Sequence, residues 1–401
     1  MWKLIHFLIT AFLQSPKKEM EDKTPKPIKC KAAVCRVAGE RLQIEEVVVA
    51  PPQRYEVRIK IICTSLCQTD ITFWRMKELP GLFPIILGHE AVGVVESVGE
   101  AVEEVAVGDT VLPVFLAECG GCAGCGSRRS NECSVLPFTM RMGMPRGDEA
   151  SRFTDAAGGP VHHFISVSSF VEYTVVDVAH VVKLHKPIPP AKAALLSCGI
   201  STGVGGAWKT ADVEPGSTVA IFGLGAVGLA AAEGARMQGA GRIIGVDVNP
   251  GKFEIGKKFG ITDFVNSKEI GDRSLSEVIK EMTGGGADYC FECVGLASLM
   301  ADAFESSRSG WGKTIILGAE KHGSPISVNS MEILRGRSIM GALLGGMKPK
   351  TDIPILMEKY IRKELNLDDF ITHEVGFEDI NKAFELLEEG KSIRCTIWMD
   401  R

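Results

Sequence analysis

Four cysteines crowd the stretch AECGGCAGCGSRRSNEC, at Cys119, Cys122, Cys125 and Cys133. The spacing C-x2-C-x2-C-x7-C closes loops too small for good disulfides. It suits a metal: knuckle turns fold neighbouring thiolates onto one ion, and tetrahedral Zn(II) accepts four sulfurs. Four cysteine ligands leave no open position, so this zinc is expected to be structural and to pin a loop. Thiols kept free for metal imply a reducing compartment, taken here as the cytoplasm, although the chain has 12 cysteines. A second set of ligand-type residues is scattered: Cys67 in SLCQTD, His89 and Glu90 in GHE, Cys198 in LSCGIST. Singly, each reads as a core or satisfied polar residue. Together, two cysteines and a histidine leave one zinc position open, the catalytic arrangement in which zinc polarises a substrate oxygen. Asp70 is a candidate partner for the His89 imidazole.

A third signal is STVAIFGLGAVGLAAAEGARMQGAGRIIGVDVNP. It reads as strand, tight turn, helix and strand. Gly223, Gly225 and Gly228 form G-x-G-x-x-G between the first strand and an alanine-rich helix, and Asp247 follows 19 residues after Gly228. In that context the motif is a Rossmann dinucleotide fingerprint. The glycines let main-chain amides approach a pyrophosphate at a helix N-terminus. Asp247 suits ribose hydroxyls and repels a 2′-phosphate, which favours NAD over NADP.

These residues need elements to hold them. Residues 28–198 are rich in short strands, glycine and proline, as in YEVRIKIICTS and HEAVGVVESVGE, and suggest an irregular β-rich domain carrying both zinc sites. Residues 199–344 alternate strand and helix and suggest a doubly wound parallel α/β sheet. Residues 345–401 read as two amphipathic helices, IPILMEKYIRKEL and INKAFELLEEGK, then a strand, IRCTIWMD, returning to the first domain. The fold class is therefore α/β, a catalytic domain plus a Rossmann domain. Residues 1–27 are expected to be an extension without fixed structure. Its apolar run Leu4–Leu13, broken by His6 and Thr10, has some character of a signal segment; a start at Met20 is the reading preferred. A net charge of −5 argues against nucleic-acid or membrane-surface partners, and no apolar run has the length of a membrane span.

GHEAVGVVESVGEAV fits the pattern G-H-E-x2-G-x5-G-x2-V. With IFGLGAVGLAAAEGAR and FITHEV…INKAFELL it resembles the zinc-dependent medium-chain alcohol dehydrogenases, closest to the plant alcohol dehydrogenase-like proteins, from about Ile28 to Asp400. The resemblance implies a GroES-like catalytic domain. It implies two zinc ions per subunit: a catalytic one on Cys67, His89 and Cys198, with Glu90 able to exchange with a ligand, and a structural one on Cys119, Cys122, Cys125 and Cys133. Thr69 matches the hydroxyl that bonds the substrate oxygen and passes the proton, and also borders the cofactor. Phe115, Phe164 and Ile165 fall where the family lines its substrate pocket. Thr202, Val227, Asp247, Lys252, Leu317, Gly318, Ala319, Leu344 and Arg394 match cofactor contacts. Ser338–Leu344 would pair across a homodimer two-fold.

Three departures stand out. Gln68 replaces a cationic partner of the pyrophosphate, which implies weaker cofactor binding and faster release. Thr72 stands where members end the proton relay with His or Tyr. Pro137 replaces the Arg of the glutathione-dependent formaldehyde class, which argues against a hydroxymethylglutathione substrate. The reading is an oxidoreductase that moves a hydride between NAD and a small alcohol or aldehyde. Two rivals are a hydroxynitrile (cyanohydrin) lyase on the same fold, with structural NAD, and a non-enzymatic nucleotide-loaded scaffold. The open zinc triad beside Thr69 argues against the scaffold.

Overall fold

The computed structural model describes residues 25–77, 81–320 and 323–401. The expectations for the first 24 residues, including the apolar run and Met20, lie outside the described residues.

Among the described residues, three sheets organise the chain. Six parallel strands form one of them, in the spatial order Asp263–Asn266, Arg242–Asp247, Thr218–Phe222, Tyr289–Glu292, Lys313–Ile316 and Ser338–Gly341. In chain order this is 3-2-1-4-5-6, and the order reverses between Thr218–Phe222 and Tyr289–Glu292. That switch point is where doubly wound sheets bind their ligands. The inner strands read as continuous apolar runs because helices cover both faces; Val219 to Phe222 are fully buried. The helix Ala226–Met237 begins straight after the glycine turn.

A second sheet carries the scattered ligands. Its long strand Glu56–Ser65 pairs antiparallel with Glu90–Val98 and with the C-terminal strand Arg394–Trp398. Tyr173–Asp177 also pairs with its first half. Cys67 therefore lies just past the end of one strand, Glu90 begins its neighbour, and Arg394 begins the strand on the other side. The C-terminal strand does return to the N-terminal half of the chain. The sequence reading missed one element near it: Ile371–Gly376 is a strand, paired parallel with Arg394–Trp398. It lies at the sheet edge with its residues half-buried or exposed, so its apolar alternation is weak. The third sheet is smaller and includes Ile28–Cys35, Gln43–Val49 and Phe153–Thr154.

Buried ion pairs tie loops to these sheets. Arg152, 4% exposed, donates from Nε to Glu56 Oε2 at 2.8 Å and from Nη2 to Glu56 Oε1 at 2.7 Å, and reaches Asp148 Oδ1 at 2.8 Å. Glu56 opens the strand that leads to Cys67. Removing one member of a buried pair leaves an uncompensated charge, at a cost of about 3–5 kcal/mol. Arg152→Leu is therefore expected to lower the melting temperature strongly, and the double variant with Glu56→Leu to recover part of the loss. A single variant that melts with the wild type would show that water replaces the pair without penalty.

Candidate metal and dinucleotide site

Two groups of ligand atoms converge, each with all its donor atoms within 4.8 Å of one another. The first is Cys119, Cys122, Cys125 and Cys133. Its Sγ–Sγ separations include 3.9 Å for Cys119 and Cys125 and 3.8 Å for Cys122 and Cys133. A regular tetrahedron with zinc–sulfur bonds of 2.3 Å has edges of about 3.8 Å, so the four thiols fit zinc. Main-chain N–H groups of Cys125 and Ser134 donate to Cys122 Sγ, both at 3.3 Å. The Cys125 amide is the main reason the Cys122 thiol is pulled down to about 5. This lobe grips the segment that leaves the parallel sheet. Lys348 Nζ donates to the carbonyls of Cys125 and Ser127, both at 2.6 Å, and Asn131 Nδ2 donates to those of Leu343 and Met347.

The second group is Cys67, His89, Glu90 and Cys198, all buried. His89 Nε2 is 3.2 Å from Cys198 Sγ; a tetrahedral zinc would hold such a pair about 3.5 Å apart. Two thiols and an imidazole, with the Glu90 carboxylate within the same 4.8 Å, suit the open zinc set. Asp70 positions the imidazole, as its sequence position suggested. Its Oδ1 lies 3.0 Å from His89 Nδ1 and accepts from Gly88 N, while Oδ2 accepts from Cys67 N. With Nδ1 held by the carboxylate, Nε2 is left to face a metal. Burial pulls the His89 pKa down, but Asp70 and Cys67 together outweigh it and the net direction is up. Cys67 is held well below the usual thiol range by the hydrogen bond from Cys198, with help from Arg394 and His89. That favours the thiolate, the form that binds metal.

Arg394 sits beside the ligand set. It is buried and donates from Nε and Nη2 to both oxygens of Glu90, each at 2.9 Å; Nη2 is also 3.5 Å from Cys67 Sγ. Glu90 Oε1 also accepts from Gly199 N, next to Cys198. Burial still lifts the Glu90 carboxyl to about 7, against the pull of Arg394.

Aromatic rings wall the site. Phe115 and Phe164 stand edge-on to the His89 ring, with centroids 6.2 and 5.7 Å away. Two further rings were missed from the sequence. Phe73 lies 5.1 Å from Phe164, and Phe138 lies 5.7 Å from Phe115. Phe73 was findable: it is four residues past Thr69 on the helix Gln68–Trp74, hence on the same face. Phe138 was not, because the loop after Cys133 has no periodicity. Ile165 is buried and holds φ of 39°, with Ser166 at 62°. A β-branched residue there is strained. Ser168 Oγ fixes the turn by donating to Ile86 O and accepting from Phe164 N.

Thr69 is half-buried, with Oγ1 3.8 Å from Cys67 Sγ. Thr72 Oγ1 donates to Gln68 O at 3.1 Å, and Gln68 itself is exposed. Thr202 Oγ1 donates to Cys198 O.

The parallel sheet presents the second half of the site. Gly223 has φ of 95°, and a Cβ added at Gly228 would run into Gly223 O. At Gly225 an added Cβ would meet nothing within 4 Å, and no side chain caps the helix that starts there. Open space over an uncapped helix N-terminus suits a pyrophosphate. Asp247 ends its strand; its Oδ2 accepts from Leu224 N at 2.7 Å and pairs with Lys252 Nζ at 3.1 Å. Val227 is half-buried in the first helical turn, and Leu317, Gly318 and Ala319 follow Lys313–Ile316. Leu344 is 1% exposed with φ of 48°, so its side chain offers no surface. Three exposed apolar residues at strand ends were missed: Val248, Val294 and Leu296, at 52%, 46% and 54% exposure. Their positions beyond the strand C-termini were the available signal.

Fold and site together define a zinc-dependent medium-chain alcohol dehydrogenase, and the chain belongs to that family. Residues 53–186 match the alcohol dehydrogenase GroES-like domain, and residues 226–387 match the zinc-binding dehydrogenase model. Among plant relatives, alcohol dehydrogenase-like 7 of Arabidopsis thaliana is 61% identical over 93% of this chain and 96% of its own. Alcohol dehydrogenase 1 of Petunia hybrida is 51% identical over 93% and 97%. Benzyl alcohol dehydrogenase from Acinetobacter calcoaceticus superposes with a TM-score of 0.82 at 29% identity, covering 93% of this chain and 99% of that one. The chain is thus an oxidoreductase of the alcohol dehydrogenase type.

The two ligand sets lead to distinct expectations. Purified protein should carry two zinc ions per chain. Cys122→Ser should lower soluble yield and melting temperature, because a structural zinc contributes directly to folding. Cys198→Ser should leave a folded protein with one ion and no turnover. Elemental analysis finding one zinc in the folded wild type would contradict the two-site count.

Proposed function

We propose that this chain is an NAD-dependent dehydrogenase that interconverts a small apolar alcohol and its aldehyde. One observation carries the reading: Thr69 Oγ1 lies 3.8 Å from Cys67 Sγ of the open Cys67–His89–Cys198 set, whose His89 ring is flanked by Phe115 and Phe164. When bound, zinc would supply the Lewis acid that acidifies the alcohol, and the dinucleotide would supply the hydride acceptor. Thr69 would hold the substrate hydroxyl and take its proton. Phe73, Phe115, Phe138 and Phe164 would exclude water and favour an apolar substituent. The relative from Acinetobacter calcoaceticus, named for benzyl alcohol, agrees with such a wall. Asp247 at its strand end supports NAD over NADP. Glu90, joined to Arg394, would keep a carboxylate within reach of the ligands. Exposed Leu334, Leu343 and Met331 near the edge strand Ser338–Gly341 support a homodimer through Ser338–Leu344. No helix among the described residues is long and apolar enough to cross a membrane, and the free thiols support the cytoplasm.

One observation favours the lyase as a second reading. Thr72 spends its hydroxyl on Gln68 O, so a side-chain relay has no visible continuation past Thr69. With NAD and a panel of primary alcohols, the dehydrogenase releases free NADH over many turnovers and no cyanide from aliphatic cyanohydrins. Tightly held dinucleotide, no turnover with any alcohol or aldehyde, and cleavage of cyanohydrins would replace it with the lyase.

A positioned proton carrier contributes about 10²- to 10⁴-fold. Thr69→Ala should cut kcat by that order, and Thr72→Ala should change it little. Equal small losses would mean that no side-chain relay operates. Asp247→Gly should weaken NAD binding and narrow the gap to NADP; a wild type that already prefers NADP would rule out this role for Asp247.

A further inference from the structure

Glu292 ends the strand Tyr289–Glu292, beside Thr218–Phe222, at the point where the strand order reverses. It is fully buried. Its Oε1 accepts from Val294 N at 2.9 Å and Gly295 N at 2.8 Å, with Leu296 N at 3.5 Å. Its main-chain oxygen accepts from Leu317 N at 2.8 Å and Gly318 N at 3.0 Å. One residue thus holds both loops that follow the neighbouring strands.

Its second oxygen is different. Oε2 is buried and has no hydrogen-bond partner. It lies under Gly318, where an added Cβ would come within 2.6 Å of it. The two loops meet above it backbone to backbone: a Cβ on Gly295 would come within 2.5 Å of Ala319 O. Gly223 of the fingerprint turn closes the third side, with no room for a side chain against Val294. An orphaned buried acceptor weakens the fold, so the carboxyl satisfies the amides of Val294 and Gly295 at the cost of leaving Oε2 unpaired. The carboxyl thus shapes the loop at the switch point, with one oxygen committed to its amides and the other turned under Gly318. Nothing in the sequence singles it out, since a glutamate closing an apolar strand has no motif of its own.

We propose that Glu292 is a positioning residue for the dinucleotide: by nesting the amides of Val294–Leu296 and anchoring Leu317 and Gly318, it sets the spacing of the two loops that border the crevice. The inference rests on the dehydrogenase reading above. It assigns Glu292 no part in the hydride step.

The test is NADH titration by fluorescence on the zinc-loaded protein, with zinc content and melting temperature measured without dinucleotide. Glu292→Met leaves the amides of Val294 and Gly295 unsatisfied and should raise the Kd for NADH and the KM for NAD about tenfold or more, while kcat at saturation moves far less. Glu292→Gln keeps the Oε1 acceptor and should bind within about threefold of wild type. Glu292→Asp, one methylene shorter, draws the acceptor away from the amides of Val294 and Gly295 and should weaken NADH binding in the same direction, and it keeps the test available if Glu292→Met does not fold. A melting temperature that falls while Kd stays at the wild-type value in these variants would reduce Glu292 to a structural residue and overturn the proposal. A failure of Glu292→Gln to restore binding would also overturn it, by moving the effect from the nest to the charge. If wild type itself shows no saturable NADH or NADPH binding, the dehydrogenase reading falls first and takes this inference with it.

Discussion

Everything at the reactive centre leans on the buried pair between Glu90 and Arg394. Both side chains are almost fully hidden, and a buried ion pair recovers its desolvation cost only when its geometry is good and its remaining atoms are bonded. Here the fork is bidentate, its Nη2 also faces Cys67 Sγ, the spare Nη1 donates to Ile393 O, and Glu90 also takes the amide of Gly199. The pair therefore touches three stretches far apart in sequence: the Cys67 turn, the Glu90 strand and the Cys198 helix start. The C-terminal strand delivers the arginine. Two thiolates and a carboxylate would repel one another in so small a volume. Arg394 offsets part of that repulsion, and a divalent cation held by the same ligands would offset the rest.

Around this centre polar groups hold the ligand side chains in place. Asp70 fixes the imidazole and the Cys67 amide at once. The aromatic rings beyond His89 lower the local dielectric, so the charges inside interact more strongly than they would in water. The strained turn at Ile165 and Ser166 keeps Phe164 against the imidazole. The structural lobe acts at a distance: through Lys348 and Asn131 it grips the segment that leaves the parallel sheet, and so fixes where the C-terminal strand can begin its return.

The dinucleotide half obeys a simpler constraint, which is close approach. Gly223, Gly228, Gly295 and Gly318 all stand where a Cβ would strike main chain or the side chain of a neighbouring loop. Loops can converge that tightly only with glycine, and the amides they expose then need acceptors. Glu292 provides acceptors for several of them.

By itself, the sequence determined the chemistry that depends on local spacing. The four-cysteine knuckle, the glycine fingerprint with Asp247, and the GHE turn are each readable because their function is set by residues within one turn or one βαβ unit. The scattered triad of Cys67, His89 and Cys198 was legible only by residue type and resemblance, since nothing local joins residues 67 and 198. Only the tertiary structure decided the rest. It turned Arg394 onto Glu90 instead of leaving it free, buried Leu344, tied Thr72 to its own helix, and added the edge strand Ile371–Gly376. It also put Phe73 and Phe138 on the site wall and Glu292 under two loops. The Arg394–Glu90 pair spans 304 positions and the ring contacts join separate elements, where strand pairing and packing choose the partner and a local pattern carries no record of the choice.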